Sequence, residues 1–140
     1  MIRRAAPADA DVVADLMCAL WPHHTLDEMC REAYALLSDP DVLIALYRDL
    51  AFAQCGLRHD YVEGAETSPV GYLESVYVSP ALRRCGVTQA LVDYCADWAR
   101  EQGCAAFASD CELDNADSLA FHLAAGFREV NRVICFVKKL

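Results

Sequence analysis

A basic turn that contains one glycine lies between a predicted strand and a predicted helix in the stretch Val70–Gln89. Residues of the strand are β-formers in partial alternation, and Pro80 ends the strand because proline cannot continue a hydrogen-bonded ladder. The turn covers residues 83–88, reads RRCGVT, and is followed by a helical pattern. This order brings free backbone N–H groups and the positive end of a helix dipole to one point. Such a point favours binding of an anion, most often a phosphate.

Two carboxylates are expected near this turn. Glu74 lies on the strand, six residues before Pro80, and Asp110 ends the strand that follows the helix. The carboxyl end of a strand is the usual ligand side in open α/β sheets. If both carboxylates converge on a pocket at this point, they suit a cationic ligand. The alternatives are a solvated strand glutamate for Glu74 and a loop or helix-cap carboxylate for Asp110.

The periodicity along the whole chain predicts a mixed sheet with helices on both faces. Helix boundaries are marked by Pro7 at the entrance of the first helix and by Thr25 as the N-cap of the second, with Glu28 completing a capping box. The predicted elements are a short strand at 2–5, a helix that begins at Pro7 and ends at Leu20, a helix at 26–37, strands at 42–47, 50–57 and 70–78, a helix at 87–101, a strand at 105–109, a helix at 116–125 and a final strand at 130–138.

Composition and charge exclude several classes of protein. The 140 residues are 56% hydrophobic, which predicts one folded domain spanning residues 1–140. The net charge of −9 argues against nucleic-acid binding; it indicates solubility, and it suits a cationic ligand if carboxylates converge on a pocket. No apolar run approaches the ~20 residues of a membrane span and no export signal is found, so we expect no membrane contact and a cytoplasmic location. The eight cysteines have no metal-binding spacing, so we expect free thiols and no metal.

These features resemble the GCN5-related N-acetyltransferase superfamily. Its acyl-CoA motif, Arg/Gln-x-x-Gly-x-Gly/Ala, is matched at residues 83–88, and its late signature is matched from Asn115 to the Ala-Gly-Phe that ends at Phe127. Further segments resemble the aminoglycoside 6'-N-acetyltransferases, in their small, dimeric, enterobacterial-type branch. These segments are WPHH at 21–24, LRHDYVEG at 57–64, SPVGYLESVYVSP at 68–80, ASD at 108–110 and RVICFVKK at 132–139.

The resemblance implies an α/β (α+β) fold whose mixed central sheet is splayed at an acyl-CoA cleft. It also implies transfer of an acetyl group from acetyl-CoA, the co-substrate, to the 6'-amine of a polycationic aminoglycoside antibiotic. Glu74 and Asp110 would then be the catalytic carboxylates and would also bind the drug. The drug pocket would further contain Trp21, His24, Tyr61 and Asn131, with Tyr61 supplied by the partner subunit of a homodimer. Acetyl-CoA would be held by Val76, Tyr77, Val78, Arg83, Arg84, Cys85, Gly86, Val87, Thr88, Gln89, Asn115 and His122.

For four of these residues a purely structural role stays open. Trp21 could fill the core, Tyr61 could pack within its loop, and Asn115 could cap the last helix. His24 could be a surface residue.

Three positions depart from the pattern of the family. Thr88 replaces the small Gly or Ala of the acyl-CoA motif, which adds bulk near the diphosphate. His122 occupies the position where many members have a tyrosine that protonates the CoA thiolate. Catalysis would therefore depend more on substrate binding and proton relay than on an acid for the thiolate. Asn131 replaces a glutamate that is common in the 6'-N-acetyltransferase branch, so the substrate range could differ.

Two other functions stay open from the sequence. An acetyltransferase of the same fold could act on a polyamine, a small amine, or the N-terminus or a lysine of a protein; the aromatic loops at Trp21–His24 and Tyr61 favour a closed pocket over a peptide groove. An acyl-CoA-binding sensor without turnover is the other alternative, and retention of Glu74 and Asp110 argues against it.

Overall fold

The fold is described here from a computed structural model that covers all residues, from Met1 to Leu140. Two short 3-10 turns, at Pro7–Asp9 and Pro80–Leu82, accompany the regular elements. These elements are β1 (Ile2–Arg4), α1 (Ala10–Leu20), α2 (Leu26–Leu37), β2 (Val42–Tyr47), β3 (Ala51–Arg58), β4 (Val70–Val78), α3 (Val87–Glu101), β5 (Phe107–Ser109) and α4 (Ala116–Ala124). The predicted elements up to α4 are confirmed, with small shifts at their ends.

The five strands form one sheet in the order β1-β2-β3-β4-β5. Neighbouring strands are antiparallel except for β4 and β5, which are parallel, so the predicted mixed sheet is confirmed. The parallel pairing is short, because it joins only Gly71–Leu73 to Phe107–Ser109. From Glu74 to Val78, β4 therefore has β3 on one side and no strand on the other. This splayed edge is the gap that the sequence predicts beside the basic turn.

Helices cover both faces of the sheet, as predicted. Along β3 the side chains alternate: Ala51, Ala53 and Cys55 pack under α3, whereas Phe52 packs under α1 and α2. The α3 side is completed by buried residues of that helix, including Leu91, Cys95, Trp98 and Ala99. The other side contains Val13, Met17, Met29 and Ala33. Both layers hold the central strands in place, because each large apolar side chain that is fully buried contributes about 1.5–3 kcal/mol.

Gly71 allows the closest approach between β4 and its neighbours. A Cβ atom at this position would lie 2.6 Å from Cβ of Ala99 on α3 and 2.7 Å from Cδ1 of Phe107 on β5. Both distances are shorter than real carbon contacts, so a side chain here would push α3 and β5 away from β4. Gly71 therefore permits α3 and β5 to pack closely against β4 in the segment Gly71–Leu73, which is paired with a strand on both sides.

The predicted final strand, 130–138, is wrong for the single chain. No strand follows α4, and the large apolar side chains of this segment are exposed, from 44% at Val130 to 97% at Val137. The sequence pattern of β-formers is present, but a strand needs a neighbour for its backbone groups and an apolar layer for its side chains. Within one chain the segment has neither.

Candidate active site

Four side chains from three neighbouring strands form one connected group on the α1/α2 face of the sheet. A guanidinium N–H of Arg58, at the end of β3, donates to Oε1 of Glu74 on β4 over 2.8 Å. The same guanidinium lies flat against Tyr72, with its Cζ 3.4 Å from the ring centroid. The Tyr72 hydroxyl in turn donates to Oδ2 of Asp110, which follows β5. The two carboxylates that the sequence selects are thus linked through Arg58 and Tyr72.

Glu74 is the extra residue of a β-bulge. Gln54 pairs with Ser75 and Cys55 pairs with Leu73, so no residue of β3 lies opposite Glu74. The bulge reverses the alternation of β4: Leu73 and Val76 both pack against the α3 cluster, although their positions differ by three and a regular strand would place them on opposite faces. Bulges bend a strand and re-aim a side chain, and they are common beside active sites. Here the bulge falls at the point where β4 leaves β5.

Burial and the hydrogen bond from Tyr72 to Asp110 raise the pKa of Tyr72 to about 12. Its hydroxyl is therefore protonated, and able to donate, throughout the neutral range. For Arg58, burial acts against the charge, but the hydrogen bond to Glu74 and the nearness of that carboxylate outweigh it and raise the pKa of the guanidinium. The group therefore combines two carboxyl groups with one guanidinium whose positive charge is fixed at neutral pH.

The predicted anion-binding turn has the required backbone geometry. Gly86 is the N-cap of α3, with φ 77°, and Arg84 also has a positive φ of 65°. No hydrogen bond within the protein is made by the N–H groups of Gly86 or of the first three helical residues, 87–89. Around Gly86 a Cβ atom would meet nothing within 4 Å. Free N–H groups at a helix start, with open space before them, fit a diphosphate.

His122 has protein partners at both ring nitrogens. Nδ1 donates to the Ser118 carbonyl over 2.7 Å, and Nε2 forms a hydrogen bond of 2.8 Å with the Ser109 hydroxyl. The oxygen of that hydroxyl also lies 3.2 Å from the carbonyl of Leu73, the last residue of β4 that pairs with β5. His122 therefore links α4 to the start of the splayed edge. Asn115 caps α4, because its side chain accepts from the Ser118 N–H over 3.1 Å.

Trp21 and His24 lie at a second hollow on the α1/α2 side. Trp21 ends α1, and an open pocket there is lined by Trp21, His23, His24, Glu28, Met29 and Glu32. His24 and Glu28 are in contact at 3.0 Å, and this hydrogen bond, with that of Thr25, lowers the pKa of Glu28. Two glutamates and an aromatic ring make this pocket suitable for part of a cationic ligand. Neither Glu74 nor Asp110 lines it.

Tyr61 and Asn131 form hydrogen bonds with residues other than the two carboxylates. The Tyr61 side chain is 79% exposed, and its hydroxyl donates to Glu63, which raises the pKa of the tyrosine. Asn131 is in the segment after α4, where its side chain accepts from the N–H of Arg132. Their roles in binding stay predictions, as do those of the turn residues.

The sequence analysis missed three residues of the site. Arg58 lies one residue beyond the strand predicted at 50–57, but it is the last residue of β3. Extending the alternation of β3 from Phe52 to Arg58 would have put it on the face of Glu74. Tyr72 could have been found in the same way, because it lies two residues before Glu74. Ser109 carries no signal of its own, because its partners come from α4 and β4.

A splayed mixed sheet, an anion-binding turn before a helix and carboxylates at the splayed edge define an acyl-CoA-dependent acetyltransferase. A family model described as "Acetyltransferase (GNAT) family" matches residues 10–127. The chain belongs to this family.

Within this family, the chain is similar to several aminoglycoside 6'-N-acetyltransferases, both in sequence and in structure. Aminoglycoside N(6')-acetyltransferase type 1 of Stenotrophomonas maltophilia is 41% identical over 140 residues, covering 96% of this chain and 90% of the relative. The crystal structure of AAC(6')-Ih from Acinetobacter baumannii has a TM-score of 0.91 at 36% identity, covering 100% of this chain and 98% of the other. AAC(6')-Iy in complex with the bisubstrate analogue CoA-S-monomethyl-acetylneamine has a TM-score of 0.90 at 33% identity, with the same coverage. The resemblance to the 6'-N-acetyltransferases and the expected fold are confirmed.

No helix of the chain has both the length and the apolar character needed to cross a membrane.

Proposed function

We propose that this chain transfers the acetyl group of acetyl-CoA to the 6'-amino group of aminoglycosides of the kanamycin and tobramycin type, which confers resistance to these antibiotics. The observation that carries the proposal is the position of Glu74. It is the bulged residue of β4 at the point where the pairing with β5 ends, and it belongs to the same connected group as Asp110. Relatives named for this activity are 36–41% identical. A polycationic drug also suits a chain with a net charge of −9.

The carboxylates supply what an amine acceptor needs. An amine is protonated at neutral pH and cannot attack a carbonyl until it loses a proton. One oxygen of Glu74 accepts from Arg58 and one oxygen of Asp110 accepts from Tyr72, which leaves Oε2 and Oδ1 free to receive the ammonium group. Glu74, or a water that it binds, then takes the proton. We assign the two residues as the catalytic carboxylates.

The free edge of β4 and the turn before α3 fit acetyl-CoA. This co-substrate supplies the acetyl group as a thioester. The N–H groups of Val76 and Val78, which face the unpaired edge on either side of Tyr77, would polarise the thioester carbonyl, and the turn at residues 83–89 would hold the diphosphate. We assign Asn115 and His122 to the wall of the same cleft, since both lie at the α4 side of the splayed edge.

A coupled assay tests this proposal. Purified protein with acetyl-CoA and kanamycin or tobramycin is expected to release CoA thiol, and a matched aminoglycoside with a hydroxyl at the 6' position is expected to release none. Release with spermidine or peptides but with no aminoglycoside would assign the fold to another amine. CoA binding without release to any amine would indicate a sensor.

The role of Glu74 has its own test. Glu74→Gln removes the proton acceptor, so kcat at neutral pH is expected to fall by about a hundredfold or more. Glu101→Gln, at the exposed end of α3, is the matched control and should leave kcat unchanged. An unchanged kcat and pH–rate profile for Glu74→Gln would remove this residue from the proton path.

We further propose that the chain acts as a homodimer in which the segment after α4 pairs with the partner. Phe136 is 90% exposed and Ile134 is 74% exposed, and exposure of so many β-forming apolar residues in one segment is unfavourable in water. The edge of β5 that faces away from β4 has no neighbouring strand. The segment after α4 of a second copy could form a strand that hydrogen-bonds to the backbone groups at this edge, which would also bury its apolar side chains.

Tyr61 lies close to the path of this segment. The segment crosses the loop at Gly64, where a Cβ atom would lie 2.8 Å from Cγ1 of Val130. Exchange of the segment would therefore bring the Tyr61 loop of one chain beside the β4–β5 edge of the other. This supports the assignment of Tyr61 to the drug pocket of the partner subunit.

Solution mass tests the dimer. Wild-type protein is expected to have twice the mass of one chain, and Phe136→Asp is expected to be monomeric because a carboxylate cannot be buried unpaired in the interface. Tyr34→Asp changes an exposed aromatic residue on α2 and should stay dimeric. A monomeric mass for the wild type would contradict the proposal.

Mixed dimers test the origin of Tyr61. If Tyr61 is supplied by the partner, a mixture of Tyr61→Ala and Glu74→Gln chains forms mixed dimers in which one site has both residues. Random pairing makes half of the dimers mixed, with one intact site of two, so about a quarter of wild-type activity should return. No recovery would place Tyr61 in the site of its own subunit.

A further inference from the structure

Arg58 carries a permanent positive charge within the site that is proposed to bind a cationic aminoglycoside. Its guanidinium contacts Glu74 at 2.8 Å, stacks on Tyr72 at 3.4 Å and lies near Asp110 through that tyrosine. No motif of the sequence analysis assigns it a role. Glu74, Tyr72 and Asp110 are the charged and titratable groups that face it, from β4 and from the end of β5.

The contacts of Arg58 constrain its position. The planar guanidinium is held by an ion pair at one edge and by a ring at its face, and the ring is itself held by the hydrogen bond from Tyr72 to Asp110. The side chains of Arg58 and Glu74 are only partly exposed, at 44% and 38%. Arg58 therefore stays beside Glu74, and only the second oxygen of Glu74 is left for the acceptor.

A nearby positive charge has a defined effect on an amine. It disfavours the ammonium form and favours the neutral form, which is the form that attacks the thioester. The same charge reduces the attraction of the site for a polycation, because it cancels one of the two carboxylate charges. Arg58 would thus weaken binding of the protonated drug and favour loss of the proton that the reaction requires.

We propose that Arg58 is a positioning residue for acetyl transfer that holds Glu74 and, as a resident cation, favours the neutral form of the bound acceptor amine at the cost of ground-state affinity. This inference rests on the proposed function. It assigns a task to a residue that touches Glu74 rather than the reacting atoms.

Two variants separate the charge of Arg58 from its shape. Arg58→Gln removes the charge and keeps a hydrogen-bond donor, whereas Arg58→Lys keeps the charge and loses the planar stack. Arg100→Gln is the matched control, because it removes an arginine from an exposed ion pair with Asp97 on α3. Thermal unfolding of each variant shows whether it is folded before its kinetics are compared.

The expected signature of Arg58→Gln is a split between binding and turnover. Its kcat at pH 7 should fall by about tenfold, while its affinity for kanamycin, measured by calorimetry, should rise by several-fold. The acid limb of its kcat–pH profile should move to higher pH, since the bound amine loses its proton less readily. In Arg58→Lys the position of that limb should stay at the wild-type value.

Three results would overturn or redirect the inference. If Arg58→Gln matches Arg100→Gln in kcat, affinity and pH profile, Arg58 has no role in the site. If Arg58→Gln loses affinity and turnover together with thermal stability, Arg58 is only structural. If wild-type protein binds kanamycin but releases no thiol, the proposed function fails; a gain in affinity in Arg58→Gln would then still support the effect of its charge.

Discussion

Residues 1–104 and residues 105–140 differ in how far their side chains are buried from solvent. The first region contains all 28 buried residues of the protein, and the last of them is Cys104. The second region contributes β5, α4 and the segment after α4 without one buried residue, although Leu123, Ile134 and Phe136 are apolar.

The difference indicates that residues 1–104 can fold through contacts among their own side chains. Residues 105–140 depend on contacts with another surface that buries their apolar side chains. Two apolar layers hold β2, β3 and β4 between the helices in the first region. In the second region, α4 is attached through partly buried aromatic residues and through His122, which contacts Ser109. Asp110, one of the two proposed catalytic carboxylates, belongs to this less covered region. Assembly and catalysis are therefore expected to be coupled.

The largest expected contrast is between Phe52 and Phe136. Phe52 is 0% exposed, so Phe52→Ala should lower the free energy of unfolding by about 3–5 kcal/mol at every protein concentration. Phe136→Ala should have no effect at concentrations where the chain is monomeric and should destabilise only the dimer. Denaturant unfolding at low and high protein concentration measures both. An equal, concentration-independent loss in the two variants would contradict the division into two regions.

A smaller contrast is expected between the caps of α2 and α4. Thr25 accepts from the Glu28 N–H at 3.2 Å, and α2 buries Met29 and Ala33, so Thr25→Ala should cost about 1 kcal/mol of global stability. Asn115→Ala removes the cap of a helix that has only partly buried residues. In the monomeric Phe136→Asp background it should accelerate amide exchange within α4 and leave global stability unchanged. A global loss of the same size would show that α4 unfolds together with the core.

The smallest expected effect is a pH dependence that arises in the first region. The side chain of Arg3 and the N–H of Ala6 both bond to Asp9 and lower its pKa from 3.8 to about 2. The folded protein therefore gains stability above the unfolded pKa, and this gain disappears as pH falls through about 2. Since Arg3 is more than half exposed, Asp9→Asn should cost at most about 1 kcal/mol at pH 7 and nothing near pH 2.

The matched control for this pH dependence lies in the second region. Glu129→Gln breaks an exposed pair with Arg132, and it should change stability by less than about 0.5 kcal/mol at any pH. A loss in Asp9→Asn that persists at the lowest pH would show that the hydrogen bonds of Asp9 stabilise the fold independently of its charge.

Local patterns in the sequence determined most of the elements. Helical spacing with Thr25 as cap predicted α2, and the run around Leu91, Cys95 and Trp98 predicted α3, because side chains three or four residues apart share one face of a helix. The RRCGVT turn predicted an anion site for a similar reason: a helix start and a glycine create free N–H groups within a few residues of one another.

Only the tertiary structure decided how Glu74 and Asp110 are held and whether the last segment forms a strand. The bulge at Glu74 depends on the register between β3 and β4, and the contact of Arg58 with Tyr72 depends on how these two strands pair across the loop between them. The β-forming pattern of 130–138 says that the segment can be a strand, but its pairing depends on an edge that no residue within the segment specifies. Register and pairing come from contacts between distant parts of the chain, or between chains, and local propensity does not contain them.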